Sequence, residues 1–445
     1  LPSFISRGER KVLVVAIISL LASGLWLASY LANKYTIPIP ATGGTYREGI
    51  IGELRIPNPI FAQGGPDQDV AKLIYAGLFD HNEKGEIIPA LAKEFSLLDE
   101  GKTYLVTLRE GLRWPDEKPF SAEDVIFTIR MIQDPRTRSP FRPAWQGVEV
   151  IFVDETRLKF VLREPYAPFL ENAVIGILPK HLWEERMPQN ILLTDLNINT
   201  IGMGPFKPSR VTKTQAGLVE SFLLERNPFY FNEGPYLEFI ELRFYPSPER
   251  MTQAWRKGEV DGMAGIESEL VAELARRQDM TVLNLKLPRV TSVFFNQAKS
   301  KVLASKAVRE ALEVAVNRQD ITHTVFNGFA LAALSPLPDI VQGFQAFIQK
   351  DPSLEKAKEI LAQDKWQDAD GDGIMEKSIS QKEEIKLAFH LVTAQTPDLI
   401  NTAELLRSQW SKLGAQVEVT PLDVTHLTED YLRPRNYDAL LFGEV

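Results

Sequence analysis

Three kinds of hydrophobic spacing run along this chain, and each predicts a different element. Residues Val12–Ala32, VLVVAIISLLASGLWLASYLA, form an uncharged run of 21. At 1.5 Å rise per residue, a helix of that length matches the roughly 30 Å hydrocarbon core of a bilayer. A period of two appears in Lys102–Arg109, where Tyr104, Val106 and Leu108 share a face, and again in Thr156–Leu162 through Leu158, Phe160 and Leu162. Both predict half-buried strands. Ser121–Asp134 has the helical period instead, with Val125, Ile129 and Ile132 on one stripe and Ser121 and Asp124 set as a capping box. Val308, Leu312 and Ala315 mark another amphipathic helix inside AVREALEVAVNRQDI. Strands and helices interleave along the whole chain, which argues for α/β and against a helical bundle or β-sandwich.

Charge then orients the apolar run. Arg7, Arg10 and Lys11 precede it against a single Glu9, and only Lys34 closely follows, so the positive-inside rule puts the short N-terminus in the cytoplasm and the bulk outside. Signal-peptide cleavage requires small residues at −3 and −1. Leu27-Ala28-Ser29 and Tyr30-Leu31-Ala32 place a bulky residue first, so residues 1–36 read as a stub and an uncleaved transmembrane anchor. Leu25 stands where a lipoprotein signal carries its lipidated cysteine, and cysteine is absent from the sequence, which removes disulfides, thiolate zinc sites and cysteine nucleophiles. With a net charge of −9 and no basic stripe, a nucleic-acid partner is not expected.

Catalytic signatures are missing. The five histidines are scattered without an HExxH pair, and neither a GxSxG elbow nor a GxxxxGK[ST] loop occurs. Gly202-Met203-Gly204 lacks the third glycine of a dinucleotide fingerprint. Neither an enzyme nor a cofactor is expected. The segment DADGDGIM raises a metal question, because Asp368, Asp370 and Asp372 occupy positions 1, 3 and 5 of a calcium loop, Gly373 position 6 and Glu376 position 9. Position 12 is Ile379 where the bidentate glutamate belongs. Asp and Gly at these positions are also what a tight turn selects, so a turn without metal is the expectation.

YREGIIGELRIPNPIF, KLIYAGLFDHNEKGEIIPALAKEF and KTYLVTLREGLRWPDEKPFSAEDVIFTI, followed in order by GMGPFKPSR, ERNPFYFNEGP, WRKGEVDGM and SVFFNQ, carry a resemblance. Together they resemble extracellular solute-binding protein family 5, the peptide- and nickel-type substrate-binding proteins of ABC transporters. The resemblance implies a two-lobed periplasmic-binding-protein (Venus-flytrap) α/β fold with an extra subdomain, preceded here by the transmembrane helix. Residues 37–91 and 201–287 would build a discontinuous first lobe, 92–200 the subdomain and 288–445 the second lobe.

The same resemblance implies an oligopeptide ligand captured outside the cell and passed to ABC permease subunits with their ATPases. By motif position the ligand would meet Ala62, Gln63 and Gly64, then Gly265 and Ile266 in the segment from Ala264, and Ser292, Phe294 and Asn296 at the lobe crossover. Trp145 would reach in from the subdomain. Taken singly, Trp145, Phe294 and Phe295 also suit a core, and Asn58 and Gly204 a turn. Relatives continue well beyond YDALLFGEV, so the resemblance implies that this sequence is C-terminally partial and that the acidic partner of a peptide's amino terminus lies outside it. A receptor or scaffold of the same fold, or a binder of a nickel chelate or oligosaccharide, is the alternative.

Overall fold

A computed structural model describes residues 7–35, 41–266, 268–276, 280–284, 289–333, 335, 351–380, 383–423 and 426–444. The apolar run lies within one helix, Arg7–Tyr35, and its Lys11–Ala32 portion has a mean hydropathy of 2.3 with no part buried. Val12, Leu13, Val14 and Val15 are all exposed, so apolar side chains surround the helix on every face. That arrangement suits a span rather than a helix lying on a surface.

The chain divides into two compact units, Leu1–Asp80 with Pro89–Gly262, and His81–Ile88 with Met263–Val445. In the first unit four strands of a sheet have the order Thr45–Ile51, Phe239–Tyr245, Val219–Arg226, Phe206–Lys213. Thr45–Ile51 runs parallel to Phe239–Tyr245, and the next two pairings are antiparallel. A second sheet orders Ala92–Leu98, Thr103–Leu108, Arg157–Val161 and Glu149–Asp154, all antiparallel.

The period-two faces are where the sequence places them. Tyr104, Val106, Leu108, Leu158, Phe160 and Leu162 are buried, as are Val125, Ile129 and Ile132 on the helix Ala122–Gln133. The capping box forms: Ser121 Oγ accepts from the Glu123 N–H at 3.3 Å, and Asp124 Oδ2 accepts from the Ser121 N–H at 3.0 Å. Burial pushes the Asp124 carboxyl up, while the backbone N–H groups of Ser121 and Lys180 hold it down.

The second unit centres on a four-stranded sheet ordered Val290–Phe295, Ala439–Glu444, Ala388–Ala394, Gln416–Leu422. Trp410, Leu406 and Ala403 on the helix Pro397–Ser411 share its core with Leu312, Leu361, Phe389, Leu391 and Leu440. Two elements differ in detail from the sequence pattern. The helix through Val308 and Leu312 ends at Val314, because Asn317 accepts from the Asp320 N–H at 3.1 Å and caps a new helix, Arg318–Thr324. Ile385–Val392, IKLAFHLV, whose sequence alone reads as a single strand, is interrupted at Leu387, whose N–H donates to Met375 O at 2.7 Å and whose carbonyl accepts from Gln416 N at 2.9 Å. Glu383–Lys386 therefore pairs with Glu376–Ser380, and Ala388–Ala394 joins the larger sheet.

Candidate ligand-binding site

The segment RIPNPIFAQGG shows how sequence builds a surface loop on buried fasteners. Pro57 and Pro59 disfavour helix before them, and Asp67 takes the freed backbone donors: its Oδ1 accepts from Arg55 N at 2.7 Å and Ile56 N at 2.9 Å. Asn58 is fully buried. Its Oδ1 accepts from Ile60 N at 3.1 Å, and its Nδ2 donates to Asn197 Oδ1 at 2.9 Å. Asn197 in turn donates to Ile191 O at 2.7 Å, and Ser139 Oγ donates to Ile60 O at 2.7 Å. Asn58, Asn197 and Ser139 are neutral, so the buried side of the loop is held without a buried charge, and the charged fastener, Asp67, is only half-buried.

Glycines let the supporting backbones close in. A Cβ at Gly204 would lie 2.6 Å from Leu73 O, and one at Gly202 would strike Ile74 O. Gly204 N donates to Ile74 O at 2.8 Å, while Asn227 Nδ2 donates to Gly204 O at 2.9 Å. Tyr75, buried beside this seam, donates its hydroxyl to Thr200 Oγ1 at 3.1 Å, and burial pushes its phenol up. The motif GMGPF is thus a close-approach site between two chain segments.

Of the expected ligand residues in this unit, Ala62 is buried, and Gln63 and Gly64 are exposed at the loop tip. Gly64 is extended (φ 174°) and Gly65 takes φ 58° where the helix Gly65–Ile74 begins. Trp145 is 1% exposed, with its ring 5.6 Å from Phe160 and 5.7 Å from Phe169. Packing, one of the two readings open for Trp145, accounts for its whole surface.

The remaining candidates belong to the second unit. Gly265 is exposed with φ 65°, and Ile266 is half-buried. On the edge strand Val290–Phe295, alternation turns Val293 and Phe295 toward the core and leaves Ser292 half-buried and Phe294 43% exposed. Asn296 staples a turn: Nδ2 donates to Arg435 O at 2.9 Å and Oδ1 accepts from Ala298 N at 3.2 Å. Phe294 is therefore the candidate aromatic with surface to offer, and Asn296 has its amide engaged.

Asp368, Asp370 and Glu376 bring carboxylate oxygens within 4.8 Å of one another. Asp368 accepts from Gly371 N at 2.8 Å and Gly373 N at 3.1 Å, Asp370 from Asp372 N at 3.0 Å, and Asp372 from Ile374 N at 2.8 Å. These are the side chain-to-backbone bonds of consecutive tight turns, which the Asp and Gly pattern predicts. Sequence reasoning missed Asn197, Ser139 and Lys386, the residues that tie both loops down. Their partners lie far away along the chain, and no local period marks them.

Residues 86–444 match the family model for bacterial extracellular solute-binding proteins, family 5. The chain is 26% identical over 448 residues to the oligopeptide-binding protein AppA of Bacillus subtilis, covering 97% of this chain and 79% of that protein. To the nickel-binding periplasmic protein of Escherichia coli it is 27% identical over 375 residues, covering 82% of this chain and 67% of the relative. Another relative is spanned over 58% of its length. The crystal structure of the ABC transporter substrate-binding protein CtaP from Listeria monocytogenes aligns with a TM-score of 0.77 and 27% identity, over 91% of this chain and 79% of that one. Such neighbours bear out the two-lobed periplasmic-binding-protein fold implied by the motifs. With a family model covering residues 86–444 and a solved relative aligning over 91% of its length, the chain belongs to family 5 of the bacterial extracellular solute-binding proteins.

Proposed function

We propose that this protein is a membrane-anchored substrate-binding protein of an ABC importer that captures oligopeptides outside the cell and delivers them to the permease. The observation that carries the reading is the loop Ile56–Gly64. Its exposed tip presents the bare backbone of Gly64 beside the neutral amide of Gln63, and its stem is fixed from behind by Asn58, Asn197 and Ser139. A rigid, uncharged backbone edge suits ligands recognised through their own main chain, because such bonds are common to all peptides whatever their side chains. Phe294 adds an aromatic face in the second unit. The unburied helix Lys11–Ala32 supports an anchor with the bulk of the chain outside the cytoplasm. Binding and delivery, not bond-breaking, is the role.

One experiment addresses anchor and ligand together. Carbonate-washed membranes from cells producing the protein should retain it and bind labelled short peptides of varied sequence. N-methylation of the peptide's backbone amides should weaken binding more than scrambling its side chains, since it removes the main-chain donors common to all peptides. A soluble, N-terminally trimmed protein would overturn the anchor. Indifference to backbone N-methylation, or binding of a nickel chelate or sugar in place of any peptide, would overturn the peptide assignment.

A further inference from the structure

The segment Asp368–Glu376 lies outside the proposed ligand residues, and its side chains are arranged around a single point. Lys386 Nζ lies 2.6 Å from Asp372 Oδ2, 3.0 Å from Glu376 Oε1 and 3.4 Å from Asp370 Oδ2. We propose that this segment is a cation cradle whose resident cation is the Lys386 ammonium, a tethered group taking the place that a divalent ion holds in loops with this aspartate spacing.

Three observations carry the assignment. An ammonium has three N–H donors, and three carboxylates surround this one, while the remaining acid, Asp368, already accepts from two backbone N–H groups. Glu376 is 3% exposed; its Oε2 accepts from Ala369 N at 3.0 Å, and its buried Oε1 makes no hydrogen bond and meets the Lys386 ammonium as an ion pair at 3.0 Å. A buried carboxylate requires such a counter-charge. The ammonium is also placed by the fold, because Lys386 sits directly opposite Glu376 in the antiparallel pair Glu376–Ser380 and Glu383–Lys386. Its three acidic neighbours raise the Lys386 pKa, and the Lys386 contact lowers that of Asp372. The cradle is therefore satisfied without metal, and it fastens the hairpin to the loop.

Thermal unfolding of the whole protein, with and without millimolar calcium, tests the proposal. Calcium should leave the melting temperature of the wild-type protein unchanged. Lys386→Met leaves Glu376 buried without a counter-charge, so its melting temperature should fall by several degrees and rise again when calcium is added. Neutralising the partner as well, in Lys386→Met with Glu376→Gln, should recover stability without calcium; this variant keeps the comparison open if the single change prevents folding. A wild-type melting temperature that climbs with calcium, or a Lys386→Met protein as stable as wild type, overturns the proposal.

Discussion

The loop Ile56–Gly64 and the loop Asp368–Glu376 are both runs of turn-forming residues, and they are fastened by opposite means. In the first, neutral amides and a hydroxyl are buried behind the tip, and one half-buried carboxylate, Asp67, takes a backbone donor at its start. In the second, carboxylates stay mostly at the surface and a single ammonium draws them together. Neutral buried bonds are indifferent to salt and pH but costly to break, because the orphaned partner remains out of water. Surface charges are weaker and titrate. The difference says which loop is fixed by shape and which by conditions.

The sharpest test of the unit that carries the first loop is Gly204→Ala, at the seam with Leu73 and Ile74. Its Cβ would meet Ile74 C and Leu73 O at 2.6 Å, both backbone atoms that cannot swing aside, so urea unfolding should show a loss of about 3 kcal/mol or more, or no folded protein. Gly234→Ala, whose nearest neighbour is Arg226 Cδ at 4.0 Å, is the control and should be near neutral. Equal effects at both glycines would remove the close-approach argument.

Asn197→Ala should come next, costing about 1–3 kcal/mol by leaving the buried Asn58 amide without its partner, and the loss should not change with salt. A loss that disappears in molar salt would mean that charge, not neutral bonding, holds this loop.

The smallest effect belongs to the acidic loop. The Asp372 carboxyl is held below its ordinary range by Lys386, so this contact stabilises the protein fully above that range and is lost as pH falls through the depressed value. The difference in urea midpoint between wild type and Asp372→Asn should therefore be constant at neutral pH and close below about pH 4. A gap that widens in acid would reverse the assigned sign.

How much of this was legible beforehand depended on range. The strand Thr103–Leu108, the helix Ala122–Gln133 and its cap were readable because their signals lie within a few residues of one another. The break at Leu387 was hidden, since both neighbouring strands continue the same apolar run and only the hydrogen bonds to Met375 and Gln416 separate them. Trp145 was ambiguous for a different reason: a tryptophan beside a turn reads alike as ligand platform or core, and Phe160 and Phe169, which decide it, arrive later in the chain. Ligand positions named by motif were legible as places, but Asn296 shows that the side chain there can already be spent on the fold. Lys386 is 16 residues from Asp370, and only the hairpin register brings it home.

The fasteners of the loop Ile56–Gly64 all lie behind its tip, at Asn58, Ile60 and Asp67. Gln63 and Gly64 thus form a stretch where heredity can experiment cheaply. If the proposed binding role holds, codons there are free to drift toward new cargo while the stem keeps the protein folding, and a randomised library confined to these two positions would sample recognition with little loss of viable molecules.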